Sequence, residues 1–180
     1  MDALTCLTTR RSIRRFADRP VSSEQIAKIL SVATYAPSWK NSQTTRYTAV
    51  LDPTLKARIA EECMLEFPHN EGITKGAPVL IVVRTVEGRS GYERDGSPTT
   101  SKGSHWQSFD AGIACATFCL AAHEMGLGTV IMGIYEEAKV RELLNVPESE
   151  GISALIALGY PDEQPDAPKK KTAEELLEIR

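Results

Sequence analysis

Four arginines fall within the six residues 10–15 of the stretch Arg10-Arg11-Ser12-Ile13-Arg14-Arg15-Phe16, broken by one serine and one isoleucine. Guanidinium groups are planar forks of donors that keep their charge at any working pH. Set around a small hydroxyl, they suit a phosphate monoester or an anionic ring edge. The same run also reads as a solvated turn after a short helix, the usual fate of charge runs. A second polar stretch, Ala36-Pro37-Ser38-Trp39-Lys40-Asn41-Ser42-Gln43, lies between an amphipathic helix and a strand, where binding loops are common. Lys169-Lys170-Lys171 ends a proline-rich tail and, taken alone, is a solvated run.

Other reactive side chains have plainer readings. Cys115 and Cys119 stand four apart on a helix, yet no second ligand pair accompanies them, so they read as core and no metal site is expected. His123 reads as a partly buried, satisfied histidine. His105 and Trp106 either start a helix or line a pocket.

The elements that must position these groups follow from capping and periodicity. Asp2 caps a short helix over residues 2–9, and Ser22 with Gln25 forms a capping box. Ile26, Ile29, Leu30 and Ala33 give the next helix one apolar face, which Pro37 ends. Tyr47, Ala49 and Leu51 alternate as in a strand. Asp52-Pro53 starts a helix, and residues 66–76 read as a loop holding His69, Asn70 and Lys75. Pro78 to Val83 is a continuous apolar run, as in a central strand. Residues 85–104 are polar and rich in Gly and Ser, and are expected to form a mobile loop or lid. Trp106 to Met125 is the longest helix, closed by Gly126. Its Ile113, Ala114, Cys115, Phe118, Ala121 and Ala122 make an apolar surface wide enough for a core on one side and a partner on the other. A strand over 128–133, a helix over 136–144, a strand over 152–159 and a short helix capped by Thr172 complete the chain. No GxGxxG follows a strand, which disfavours a Rossmann fold.

At 180 residues the chain is expected to form one domain, 1–180, with residues 160–180 as a C-terminal extension. A net charge of -3 argues against general nucleic-acid binding and makes the arginine cluster a local site. No apolar run is long enough for a bilayer, no signal segment is read at the start, and four cysteines without scaffold spacing suggest reduced thiols. A cytoplasmic protein is expected, without membrane or nucleic-acid partners.

Four stretches in order resemble the FMN-dependent nitroreductases. Residues 10–16 look like the family's R-R-S-x-R-x-F signature, and residues 36–43 like its A-P-S-x-x-N-x-Q loop. Residues 121–129 look like the end of its long central helix, and Gly159-Tyr160-Pro161 followed by basic residues like its closing segment. The resemblance implies an α+β fold, an α/β/α sandwich with a mostly antiparallel central sheet. It also implies an intertwined homodimer with FMN at the subunit interface. Position by position, Arg10, Arg11 and Ser12 would hold the phosphate and ribityl chain, and Arg14 the N1–O2 edge of the ring. Pro37, Ser38 and Asn41 would come from the other subunit, with Gln43 supporting them. Met132 and Gly133 would lie near N5, Asn70 at the pyrimidine edge, and Lys169 and Lys171 over the phosphate. Trp39, His105 and Trp106 would line the acceptor pocket. Trp39, Thr44-Thr45 and Met132 depart from the family pattern where an acceptor would stack.

The implied activity is electron transfer from NADH or NADPH to a small-molecule acceptor, a nitroaromatic or quinone, in two half-reactions. The flavin would do the redox chemistry, so no side-chain nucleophile is required. A fixed cation at N1–O2 stabilises the reduced ring, and a backbone N–H at Met132 or Gly133 fits N5. Open alternatives are reductive dehalogenation, flavin breakdown, a non-enzymatic FMN carrier or sensor, or an arginine cluster serving another phosphate ligand or an acidic partner.

Overall fold

The chain runs α1 (Ala3–Thr9), α2 (Ser23–Ala33), β1 (Thr45–Val50), α3 (Pro53–Cys63), α4 (Pro68–Gly76), β2 (Val79–Val86), α5 (His105–Glu124), β3 (Gly128–Met132), α6 (Glu137–Leu144), β4 (Glu150–Gly159) and α7 (Ala173–Leu176) in the computed structural model, which describes residues 1–180. The four strands make one sheet in the order β1-β2-β4-β3, and every pairing is antiparallel. The apolar run 79–83 has no polar face because β2 is central and covered on both sides. Val79, Ile81 and Val83 join Ala154, Ile156 and Leu158 in a core under α2 and α5. Leu80, Val82, Val130, Met132, Leu155 and Ala157 join a second core under α3, α4 and α6. This alternation makes the molecule an α/β/α sandwich, as expected. No helix is long and apolar enough to cross a membrane.

The caps form as read. Asp2 accepts from the N–H groups of Leu4 and Thr5, Ser22 and Gln25 close a capping box, and Asp52 accepts from Leu55 ahead of a first-turn proline. Each contributes about 1 kcal/mol.

Two expectations change, and the bounds of a third shift. Residues 66–76 are mostly helical, forming α4 from Pro68, with Lys75 bonded to Glu71 one turn earlier. Only Ile73, Asn70 and Thr74 are buried there, so the apolar period that would have announced the helix is missing. The apolar face of α5 is used inside the chain: Ala114, Cys115, Phe118, Ala121 and Ala122 are all buried. The outward side instead carries Phe109, 59% exposed, with Gly112 and Ala116. Finally, the first two residues of 85–104 belong to β2, and the rest forms bonded turns docked on α5. Glu93 N–H donates to Ser97 O (2.9 Å), Thr99 N–H to Gly91 O (2.9 Å) and Trp106 Nε1 to Thr100 Oγ1 (3.0 Å).

The arginine segment crosses one end of the sheet. Ile13 N–H donates to Thr129 O and Ala17 N–H to Tyr160 O, each at 2.9 Å, and Asp162 N–H donates to Arg15 O at 3.0 Å. Two paired residues permit this approach, Gly128 and Gly159. A Cβ on Gly128 would stand 2.7 Å from Ile13 Cγ1; one on Gly159 would stand 2.5 Å from Pro78 Cδ and 2.9 Å from Phe16 Cδ1. Glycine is needed where backbone meets side chain this closely.

Candidate functional site

Arg10, Arg11, Ser12 and Arg14 line an open cleft of about 620 Å³ together with Leu7, Thr8, residues 165–168 and Lys170. The arginine segment is one wall and the irregular tail after β4 the other. Arg11 Nη1 donates to the carbonyls of Thr8 (2.8 Å) and Arg10 (2.9 Å), and Arg14 Nη1 reaches Ser12 O at 3.4 Å. None of Arg10, Arg11 and Arg14 pairs with a carboxylate, although nine other ion pairs form in the chain. Three guanidinium groups, a serine and a lysine around one cleft fit a phosphate-bearing ligand in charge and donor geometry, and the volume suits a cofactor. Lys170 lines the cleft, whereas Lys169 and Lys171, the two assigned to the phosphate, do not.

Glu163 fastens the two walls. Its carboxylate accepts from the backbone N–H groups of Arg14 and Arg15 and lies 3.5 Å from Arg15 Nε. The Arg14 N–H bond is the main reason its carboxyl is held below the usual glutamate range. Beside the cleft, His123 Nε2 lies 3.0 Å from Thr9 Oγ1. Burial first, then the Arg10 charge, pushes its pKa down, which keeps the ring neutral at neutral pH.

The second polar stretch lies elsewhere. Trp39–Asn41 is one turn of 3-10 helix, and Pro37, Ser38 and Gln43 line a 160 Å³ cavity with Arg46, Tyr47 and Asp110. Trp39 packs on Trp106 with centroids 4.7 Å apart, and Trp106 on Phe109 at 5.5 Å. His105 is exposed at the start of α5. The structure therefore brings Trp39, Trp106 and the 36–43 turn together, at the opposite end of α5 from the arginines. Trp39 N–H bonds Asp110, whereas Thr9 meets His123. Thirteen residues of helix at roughly 1.5 Å each separate those anchors by about 20 Å.

Asn70, Met132 and Gly133 form a third group. Asn70 is buried, and its Nδ2 donates to Ile134 O at 3.2 Å, tying α4 to the segment after β3. Met132 points into the core at 3% exposure, so its side chain is removed from any ligand. Thr129 O faces the arginine segment on the open edge of β3, and strand alternation directs the Ile131 and Gly133 backbone to that edge and Met132 towards β4. Cys115 and Cys119 are buried in the core, and burial pushes the Cys115 thiol up to about 12. No group of three or more His, Cys, Asp or Glu is arranged to hold a metal ion.

The profile of the Nitroreductase family matches residues 7–72 and 67–160. The chain belongs to this family. A relative from Methanothermobacter thermautotrophicus, named as a candidate NADH dehydrogenase/NAD(P)H nitroreductase, is 35% identical over 92% of this chain and 80% of its own length. An iodotyrosine deiodinase from Haliscomenobacter hydrossis is 28% identical over 91% of this chain and 82% of the relative. Among solved structures, an FMN-dependent nitroreductase from Clostridium difficile superposes with a TM-score of 0.77 at 27% identity, over 98% of each chain.

Within this nitroreductase-family chain, several residues at the site escaped the sequence reading. Lys170 was hidden by a register choice inside a run of three lysines. Phe109 lies outside the apolar set from Ile113 to Ala122 that the spacing picks out. Glu163 carries no local signal, since its partners are 148 and 149 residues away. Asp110 had one: it is the only acid on the buried side of an otherwise apolar helix.

Proposed function

We propose that the chain is an FMN-dependent oxidoreductase that passes electrons from NADH or NADPH to nitroaromatic or quinone acceptors, working as a homodimer. The observation that carries this reading is the cleft with three guanidinium groups lacking a carboxylate partner, in a chain of the nitroreductase family. When bound, FMN would supply the two-electron redox chemistry. Arg10, Arg11, Ser12 and Lys170 would hold its phosphate by charge-assisted bonds. Arg14 would hold negative charge at the N1–O2 edge, and the Gly133 N–H would offer a donor towards N5 without a side chain in the way. Asn70 would keep that backbone in place through Ile134 O.

Distance supports the homodimer. Pro37, Ser38 and Asn41 stand about 20 Å along α5 from the arginines, too far to serve the same flavin within one chain. Two chains related by a two-fold axis, with their α5 helices antiparallel, would bring one turn to the partner's arginines and create two equivalent sites. The exposed Phe109, Leu4 and Leu7 supply apolar surface for such a contact. Trp39, Trp106 and His105 would then lie beside the partner's ring, where an aromatic acceptor stacks.

The visible spectrum tests this first. The purified protein should be yellow and should bleach with NADH or NADPH. A colourless protein after FMN addition would refute the flavin reading, and a yellow protein that does not bleach would leave only a carrier. Reductive dehalogenation is a second reading, favoured by the deiodinase relative. Halide release from an iodinated phenol, measured beside nitroaromatic turnover, separates the two.

A further inference from the structure

We propose that Asp110 is a positioning residue whose buried carboxylate holds the 38–43 turn in the shape that serves the partner subunit's flavin; this rests on the dimeric FMN reading above. The turn needs holding. Lys40, Asn41 and Gln43 have φ of 45°, 54° and 47°, a left-handed region that side chains disfavour and that persists only where the surroundings impose it. Inside the turn, Gln43 N–H donates to Ser38 Oγ (3.0 Å) and Asn41 N–H to Ser38 O (3.0 Å). From outside, the exposed Lys40 Nζ pairs with Glu93 at 3.2 Å and Arg46 Nη1 donates to Gln43 O at 2.8 Å, but the buried hold is Asp110. Its two oxygens accept from the Trp39 N–H at 3.1 and 3.0 Å, and Oδ2 also accepts from Ser42 Oγ at 3.5 Å and Ser90 Oγ at 2.7 Å.

The pattern of partners separates positioning from plain packing. Asp110 is 3% exposed, and a carboxylate that deep persists only when its oxygens are bonded. Each of those bonds comes from the turn or from Ser90 in the segment docked beside it, and none from the sheet or a helix. Anchored on α5, the carboxylate thus fixes Trp39 against Trp106 and leaves Pro37 and Asn41 exposed on a defined loop, with Ser38 half-buried between them. An asparagine has the same shape but only one acceptor oxygen and no charge. It would leave part of this set unmet and free the turn to leave its left-handed conformation.

The test uses the full-length protein. In a fluorescence titration, Asp110→Asn should raise the Kd for FMN about tenfold, the worth of one charge-assisted contact. Its arginine cleft is intact, so the defect must act in trans. Heterodimers isolated from Asp110→Asn and Arg10→Ala chains contain one site with both an intact arginine cluster and an intact turn. They should regain tight FMN binding at one site of the two. A defect confined to each chain's own fold would not be rescued this way. No regain in the isolated heterodimer, or an unchanged Kd for Asp110→Asn in a dimeric protein, overturns the proposal alone. A wild type that binds FMN as a monomer overturns the dimeric reading and this proposal together. Should Asp110→Asn fail to fold, Ser90→Ala removes only a hydroxyl that steadies the carboxylate. It is expected to raise the Kd about threefold, and an unchanged Kd counts against Asp110.

Discussion

Replacing Glu163 with glutamine should loosen the C-terminal tail from the arginine segment. The carboxylate accepts two backbone N–H bonds, from Arg14 and Arg15, and has a third contact with the Arg15 side chain. That third contact contributes little, because the Arg15 side chain is 72% exposed and solvent screens it. The two amide bonds matter more, because the Glu163 side chain is only 19% exposed. Both amides bond the same oxygen, Oε1, so a glutamine carbonyl can keep both bonds but not the charge that strengthens them, a loss of roughly 1.5–3 kcal/mol over the pair. The tail opens locally rather than with the whole fold, so hydrogen exchange is the assay. Protection of the Arg14, Arg15 and Asp162 amides should fall about ten- to hundredfold, while the β2 and β4 amides stay unchanged. The pH dependence has a defined sign. The folded pKa of Glu163 lies below its ordinary value, chiefly through the Arg14 N–H bond. Its contribution is therefore complete above about pH 4.3 and is lost as pH falls through the lower folded value. Wild type in acid should approach the behaviour of the glutamine variant at neutral pH. Equal protection of the three amides in both proteins at neutral pH would refute the fastening role.

Other outcomes follow from the same geometry. Arg10→Ala and Lys170→Ala should weaken FMN affinity about tenfold or more in a flavin titration, while Lys169→Ala and Lys171→Ala change it far less; equal effects across the three lysines would contradict the lining. Arg14→Ala should retain FMN but slow its reduction by NAD(P)H, with about 1.5–3 kcal/mol lost from a charge-assisted contact, read by stopped flow and by the flavin potential. Gly159→Ala places a Cβ 2.5 Å from Pro78 and 2.9 Å from Phe16. It should therefore cost about 1–3 kcal/mol in denaturant unfolding and displace the arginine segment. Phe109→Glu replaces an exposed ring and should leave monomer stability within about 0.5 kcal/mol while weakening self-association measured by light scattering.

What was legible in the sequence was mostly local or periodic. Asp2, Ser22, Asp52 and Thr172 announce helix starts because a cap bonds amides two or three residues away. The apolar run of β2 announces a strand buried on both faces. The arginine segment was legible as an anion site because its charges are adjacent in sequence. The second lysine of the tail was not, because choosing among three adjacent lysines needs the path of the tail past the cleft. Helix α4 was missed because its stability comes from a first-turn proline, a Lys75–Glu71 pair and packing on α3, with little apolar periodicity. The face of α5 was assigned to a partner because periodicity counts apolar residues without saying which side the chain itself covers. Ala114→Glu, the obvious substitution on that reading, would place a charge in the core at a site 4% exposed, so Phe109 is the proper target. Asp110 and Glu163 act on segments far away in sequence, and only the fold brings them there.

Sedimentation velocity, followed at the flavin absorbance band, tests the central claim most directly. The proposed function predicts a single species at the mass of two chains of 19.7 kDa each, carrying two FMN, with flavin and dimer lost together on dilution or in Phe109→Glu. A sedimenting monomer with stoichiometric FMN would contradict it, because the arginine cleft and the 36–43 turn would then have to serve one flavin within a single chain.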